Sequence, residues 1–349
     1  MSAWELLADL PVEIEDYELE PLQQSFSPEF VRKTTVIKLR GAGEEGVGED
    51  VTYEAADQEA FQGAGPERAL RGRFTIATFA QRLRSLDLFP TPTKRAEFRL
   101  YRNWAFDSAA LDLALRQAGA TLHGALGREP RPVTFVASLR LGEPPTLQPI
   151  ERRLRIAPRL RFKLDPTPSW DERLIAELVA LGAVESVDLK GQYEGTIVDN
   201  PADPELYRRV VEAFEDAWIE DPKLTPATEA ILASHHDRIT WDAPIHSVAD
   251  IEALPFAPKA LNIKPSRLGG LRTLLETYEH CEGHGIAMYG GGQSELGPGR
   301  GQIQYLASLF HPDSPNDVAP AGYNLPEPPA ELPSSPLSPA PAQAGFRWG

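Results

Sequence analysis

Four short apolar runs in this chain each end on a single charged residue: VESVDLKG on Asp188, DAWIEDP on Glu220, RITWDAP on Asp242 and KALNIKPSRLGG on Lys264. The intervals are 32, 22 and 22 residues, room each time for a strand, a helix and two loops. In a parallel (β/α) barrel the C-terminal ends of successive strands converge on one face, so such residues meet in space. Three carboxylates meeting at one point repel unless a divalent cation lies between them. All-oxygen donors of this kind suit Mg²⁺, which keeps coordination positions open for a substrate oxygen. A lysine facing that ion is a candidate base, and the set suggests metal-assisted chemistry on a carboxylate substrate. A lone Asp or Glu at the end of an apolar run usually caps a helix or sits in a solvated loop; four in register are not explained that way. On this reasoning, removing one carboxylate should relieve repulsion and stabilise the metal-free chain.

The elements that must position these residues follow the same rhythm. From residue 131 on, VTFVASL, RLRFKLD, VESVDLK, AWIEDP, RITWDAP, ALNIKP and GIAMYGG read as seven parallel strands, and PNDVAPAGYN as the place of a short eighth. Between them lie the helical stretches SWDERLIAELVALG, PELYRRVVEAFED, TPATEAILASHHD, SVADIEALPF and LGGLRTLLETYEHCEG. Strands alternating with helices over this length argue for a barrel. The crossover from SLRLG to RLRFK holds too little helical text for a full helix, so an irregular barrel is expected there. The first third reads as α+β: VEIEDYELEPL and TTVIKLRG alternate as strands, GAGEEGVGED supplies a turn, and FTIATFAQRLRSLDLF and AFDSAALDLALRQAGATLHGALG have helical spacing. The tail PEPPAELPSSPLSPAPAQAG reads as extended and mobile.

The runs WIEDP, TWDAPIHSVADI, LNIKPSRLGGL and YGGGQSELGPGRGQI resemble the corresponding stretches of the enolase superfamily. The resemblance is to its muconate-lactonizing branch, which includes muconate cycloisomerases, o-succinylbenzoate synthases, N-succinylamino acid racemases and dipeptide epimerases. It implies an α/β fold, a modified (β/α)₇β TIM-type barrel over 131–320, with an α+β capping domain over 1–130. The Pro/Ala-rich segment 321–349 would then be free to return to the capping domain. It implies Mg²⁺, with Mn²⁺ as the substitute ion, on Asp188, Glu220 and Asp242. The branch carries Lys-x-Lys on its second strand, with the second lysine as acid/base; here that motif reads Arg161-Phe-Lys163. Lys163 and Lys264 are the expected proton-transfer pair, one on each side of the substrate. Alternation puts Arg161 on the face of Lys163.

Lys190 stands where the family often has Asn, and would neutralise ligand charge, meet an anionic substrate group, or simply face outward. Gly290, Gly291 and Gly292 allow close backbone approach to a substrate, and Glu295 matches a glutamate that follows these glycines in the racemases and synthases. Arg161, Lys190, Gly291, Gly292 and Glu295 are thus the expected substrate-binding residues.

The reaction implied is removal of the α-proton of a carboxylate to a metal-stabilised enolate. A racemase, epimerase or cycloisomerase is favoured, with a synthase-type dehydratase as the alternative. A barrel that binds metal and ligand without turnover is a further alternative, motivated by Arg161 and Lys190. Dipeptide epimerases carry paired acids on the last strand, whereas PNDVAPAGYN offers only Asp317. The loops expected to choose the substrate are Gln24 to Phe30 and Gly46 to Asp50. His235, His236, His280 and His284 fall on helices or their ends and read as structural.

Composition agrees with a small-molecule enzyme. The 349 residues are 42% apolar and carry a formal charge of −16, with no basic stripe to meet a nucleic acid. The N-terminus is acidic and lacks a secretory h-region, and no run approaches a membrane span of about 20 apolar residues. A single cysteine, Cys281, suits a reducing cytoplasm. A homo-oligomer is left open.

Overall fold

The computed structural model describes every residue except 28, 29, 67, 197 and 349. The chain starts with α1 (Ala3–Ala8) and β1 (Pro11–Ile14), then forms a three-stranded antiparallel sheet of β2 (Asp16–Ser27), β3 (Phe30–Gly41) and β4 (Glu44–Asp50). GAGEEGVGED, expected to be a turn before a further strand, is itself β4, entered through Ala42 and Gly43 at φ 49° and 78°. Its glycines serve packing. After α2 (Ala55–Ala64), β5 (Gly72–Thr75), which pairs with β1, and α3 (Ile76–Arg84), the long helix α4 (Glu97–Gln117) lies directly on β4. A Cβ at Gly46 would stand 2.3 Å from the Ala109 carbonyl oxygen, and one at Gly48 would stand 2.0 Å from that of Ala105. Gly46 to Asp50 is therefore buried strand and not a substrate-facing loop. Of the other expected loop, Pro28 and Glu29 lie outside the described residues. Its flanks belong to β2 and β3, where the Phe26 and Phe30 rings stack at 6.0 Å.

After α5 (Leu122–Leu126) comes the parallel sheet, whose strand order is the chain order. Its elements are β6 (Val136–Leu139), α6 (Gln148–Ile156), β7 (Arg161–Leu164), α7 (Glu172–Leu181), β8 (Val184–Asp188), α8 (Pro204–Ala213), β9 (Trp218–Glu220), α9 (Pro226–Leu232), β10 (Ile239–Trp241), α10 (Val248–Glu252), β11 (Ala260–Ile263), α11 (Pro265–Leu268), α12 (Leu271–His284), β12 (Ala287–Gly290) and α13 (Pro298–Phe310). Asn316 and Asp317 bridge its two ends, Asn316 to Phe135 beside β6 and Asp317 to Gly291 beside β12. The first crossover carries a full helix after all. α6 places Pro149 in its first turn, where the missing N–H costs nothing, and buries Ile150 and Arg153. The Arg153 guanidinium reaches the carbonyls of Tyr323 and Leu325 at 2.7 Å each, so a charged-looking helix is anchored to the core.

The tail is not free. Phe346 is buried edge-on against Trp104 of α4, with ring centroids 6.3 Å apart, and its N–H donates to Asp112 Oδ1 at 2.7 Å. Arg347 pairs with Asp112 Oδ2 at 2.7 Å. The end of the chain thus packs on the N-terminal α+β part. No helix among the described residues is long and apolar enough to cross a membrane.

Asp107, buried in α4, accepts the N–H of Leu271 at the start of α12 at 3.1 Å. Burial pushes its carboxyl up to about 7, against the pull of that N–H and of Arg84. The folded chain therefore holds this proton more tightly than the unfolded chain, and stability drains away as pH rises from about 4 to about 7. Asp107→Asn keeps an acceptor for Leu271 and removes this pH dependence. In urea melts it should match the parent near pH 4 and exceed it at pH 8, by at most about 4 kcal/mol. A constant difference from pH 4 to pH 8 would exclude Asp107 as the titrating group.

Candidate active site

Five adjacent strands each deliver one charged residue to the same mouth of the barrel. Asp188 and Glu220 are the last residues of β8 and β9, Asp242 and Lys264 directly follow β10 and β11, and Lys163 is next to last in β7. Across the sheet the order is Lys163, Asp188, Glu220, Asp242, Lys264, all buried. The Lys163 ammonium hydrogen-bonds Glu220 Oε1, lies 3.1 Å from Asp188 Oδ2 and stands 3.7 Å from Asp317 Oδ2. Lys264 Nζ is 2.7 Å from Asp242 Oδ2.

The carboxylates are held by further donors that the sequence did not mark. Tyr289 of β12 donates to Glu220 Oε2 at 2.5 Å, and Asn262 of β11 donates to Oε1 at 3.2 Å. Tyr193 donates to Asp242 Oδ2 at 2.7 Å and accepts from Arg267 at 2.9 Å. Asp221 sits at φ 47° and accepts the backbone N–H groups of Asp242 at 2.8 Å and Ala243 at 2.9 Å. It thereby fixes the loop that carries Asp242. The sequence signal for Asp221 was its position directly after Glu220; Tyr289, Asn262 and Tyr193 carry no signal without the fold.

Among the described residues, Asp188, Glu220 and Asp221 bring carboxylate oxygens within 4.8 Å of one another, a set that suits a hard divalent cation. Asp242, the expected third ligand, is turned toward Lys264 and Arg267. Its Oδ1 and Arg267 Nε face each other at 3.0 Å out of hydrogen-bonding alignment, both buried and without another hydrogen-bond partner among the described residues. Both oxygens of Asp221 are engaged by backbone N–H groups, while Oδ1 of Asp242 has an ion pair with Arg267 but no aligned hydrogen bond among the described residues. The residues present therefore fit a cation, and the carboxylates that converge are Asp188, Glu220 and Asp221, with Asp242 drawn away by its cations.

Charge pairing governs the titration of this cluster. Burial pushes Glu220 up to about 8 against the attraction of Lys163, and the charge of Asp188 adds to the rise. Burial likewise pushes Asp221 up to about 7, helped by Asp242 and Asp188. Burial works the same way on Asp188, but Lys190 and Lys163 outweigh it and hold that carboxylate well below the usual range. Asp242 is held low against burial by Arg267 and Lys264. Burial would lower Lys163, yet Glu220, Asp188 and Asp317 raise it well above an ordinary lysine, so without a cation it is a firm ammonium. Asp188, Glu220 and Asp242 each have a counter-ion, so the expected repulsion among carboxylates is offset by pairing, while it still contributes to the raised Glu220 and Asp221.

The expected substrate-binding residues divide. Arg161, the first residue of β7, does not reach the cluster. It lies about 6–7 Å back along the strand from Lys163, is exposed, and bonds Glu185 at 2.6 Å and the Gly182 carbonyl at 2.8 Å. Lys190 does reach it and bonds Asp188 Oδ2. Gly291 packs on the site, since a Cβ there would stand 2.5 Å from Asn262 Oδ1 and 2.8 Å from Lys264 Cε. Glu295 turns into its own loop: it accepts the Gln293 N–H at 2.7 Å, and a Cβ on Gly292 would strike it at 2.3 Å. The N-terminal part grips this loop from the other side. Arg32 donates to the Gln293 carbonyl at 2.9 Å, and Glu49 accepts the N–H groups of Leu296 at 2.7 Å and Gly299 at 3.0 Å.

Residues 5–125 match the model of the domain of unknown function (DUF8230) N-terminal domain, and residues 129–325 match that of its C-terminal domain. The chain is 27% identical over 312 residues to an N-succinylamino acid racemase of Amycolatopsis sp., covering 86% of this chain and 82% of the relative. Its fold superposes on the dipeptide epimerase from Enterococcus faecalis V583 with a TM-score of 0.70 at 18% identity, over 96% of this chain and 99% of that one. It superposes on the muconate lactonizing enzyme from Pseudomonas putida with a TM-score of 0.60 at 23% identity, over 85% and 83%. These homologues and fold neighbours are enolase-superfamily enzymes. The chain belongs to the DUF8230 family, both of whose domains it contains, and has the barrel-and-cap fold of the enolase superfamily.

Proposed function

We propose that this chain is a Mg²⁺-dependent cytoplasmic enzyme that removes the α-proton of a small carboxylate and delivers it again, as a racemase, epimerase or cycloisomerase. The observation that carries this reading is the row Lys163, Asp188, Glu220, Asp242, Lys264 on five adjacent strands, three carboxylates flanked by one buried lysine on each side. Asp188, Glu220 and Asp242 would hold the ion. A bound Mg²⁺ would supply positive charge where the substrate carboxylate gains electron density as its α-proton leaves. The lysines do the proton transfer. A substrate seated over the carboxylates has Lys163 on one side and Lys264 on the other, so each can take or give a proton at a different face of the α-carbon. Tyr289 and Asn262 keep Glu220 in place, and Tyr193 with Asp221 does the same for Asp242.

N-acylamino acids are the first substrates to try, since the racemase relative is named for one. Incubation in D₂O with Mg²⁺ should place deuterium at the α-carbon, followed by NMR, and a chelator should stop it. Dipeptides, muconolactones and the synthase's cyclohexadiene substrate complete the panel. A chain that exchanges none of them, yet binds Mg²⁺, is a ligand-binding barrel. One observation favours dehydration as the second reading: three carboxylates surround Lys163 but only one meets Lys264, an asymmetry that suits a single obligatory base.

A further inference from the structure

Lys190 is doubly placed. Its ammonium bonds Asp188 Oδ2, and on its other side Asp165 Oδ1 lies 3.8 Å away, buried and without a hydrogen-bond partner among the described residues. Its backbone is pinned at φ 53°, with its N–H on Asp188 Oδ1 at 3.1 Å and the next N–H, that of Gly191, on the Asp221 carbonyl at 2.8 Å. Only the side chain is left to move, and the ring of Tyr193, 4.9 Å from Nζ, flanks it there. The oxygen that Lys190 holds belongs to a residue expected to bind the divalent ion, so the ammonium and the ion would compete for Asp188 at close quarters.

We propose that Lys190 is a built-in counter-ion of the cation site, which occupies Asp188 while the ion is absent and passes to Asp165 when the ion binds. The proposal rests on the metal-site reading above. A shift of about 1 Å would bring Nζ from 3.8 Å to ordinary ion-pair distance of Asp165 Oδ1. The carboxylates then remain paired both before and after loading. The cost is affinity, because the ammonium competes with the ion for Asp188 and stays close to it afterwards.

Titration of the full chain with Mn²⁺, read from the EPR signal of the free ion, tests this without any turnover. Lys190→Met should tighten Mn²⁺ binding about tenfold or more, by removing one like charge a few ångströms from the ion. Asp165→Asn should weaken it by about tenfold in the parent, where the displaced ammonium loses its acceptor. The same Asp165→Asn change should weaken binding clearly less in the Lys190→Met background, where only its direct attraction for the ion is lost. Lys190→Gln provides a second uncharged variant if the Met variant folds poorly, and in melts with and without Mn²⁺ either should gain more from the ion than the parent does. Equal or weaker binding by Lys190→Met and Lys190→Gln overturns the proposal, as does an Asp165→Asn effect that is undiminished without the lysine. If neither the parent nor any variant binds Mn²⁺, the metal-site reading itself fails.

Discussion

Lys264→Ala should lower α-proton exchange by about 10³-fold for one enantiomer of a racemase substrate, the range of a lost general acid–base. The other enantiomer should still exchange through Lys163. Lys163→Ala should give the mirror pattern. The physical basis is the separation of the two ammonium groups: Lys163 is held on the Asp188–Glu220 side and Lys264 on the Asp242 side. D₂O incubation of each pure enantiomer with Mg²⁺, read by NMR at early times, separates the two faces. For a dehydratase only one lysine is an obligatory base, so one variant should lose turnover for every substrate while the other keeps part of it. Undiminished exchange of both enantiomers in both variants would remove the lysines from the mechanism. Because Gly291 leaves the space that Lys264 fills, Gly291→Ala should reproduce part of the Lys264 phenotype.

Asp242→Asn should abolish Mg²⁺-dependent exchange and also destabilise the metal-free chain, by about 3 kcal/mol. The first effect follows from losing a proposed donor of the cation site. The second runs opposite to what three converging carboxylates suggest on their own. Asp242 is the partner of Lys264 at 2.7 Å and lies 3.0 Å from Arg267 Nε, and both cations are buried. Neutralising it leaves two buried charges without their acid, and breaking a buried pair from one side is the costly case. Chemical denaturation of parent and variant in the presence of chelator measures this. A variant as stable as its parent would mean that repulsion among the carboxylates, rather than their pairing, dominates the empty site.

Much of the fold could be read because each barrel strand is a short apolar run ended by a charged or turn-forming residue, and the helices between strands show regular apolar spacing. All seven strands occur where those runs lie. α6 escaped notice because QPIERRLRI is short and crowded with arginines, one of which is buried only because the carbonyls of Tyr323 and Leu325 wait for it far away in sequence. β4 was hidden by its glycines, whose reason is the backbone of α4 pressed against them. The Pro-rich tail carries no periodicity, and what orders its end is the Phe346 pocket and Asp112 on α4.

The row of charged residues from Asp188 to Lys264 was set by the sequence, since strand ends on successive β/α units must meet at one mouth of a barrel. Local order also marks Lys163, two residues along the strand from Arg161. Which cation neutralises which carboxylate was decided only in three dimensions. Arg161 leaves the cluster for Glu185, Lys190 enters it between Asp188 and Asp165, and Asp221 serves Asp242 from the neighbouring strand. Alternation along a strand fixes the face a side chain leaves from. The end of a long flexible side chain goes to whichever opposite charge the packed barrel brings within reach, and that distance is a property of the tertiary structure alone.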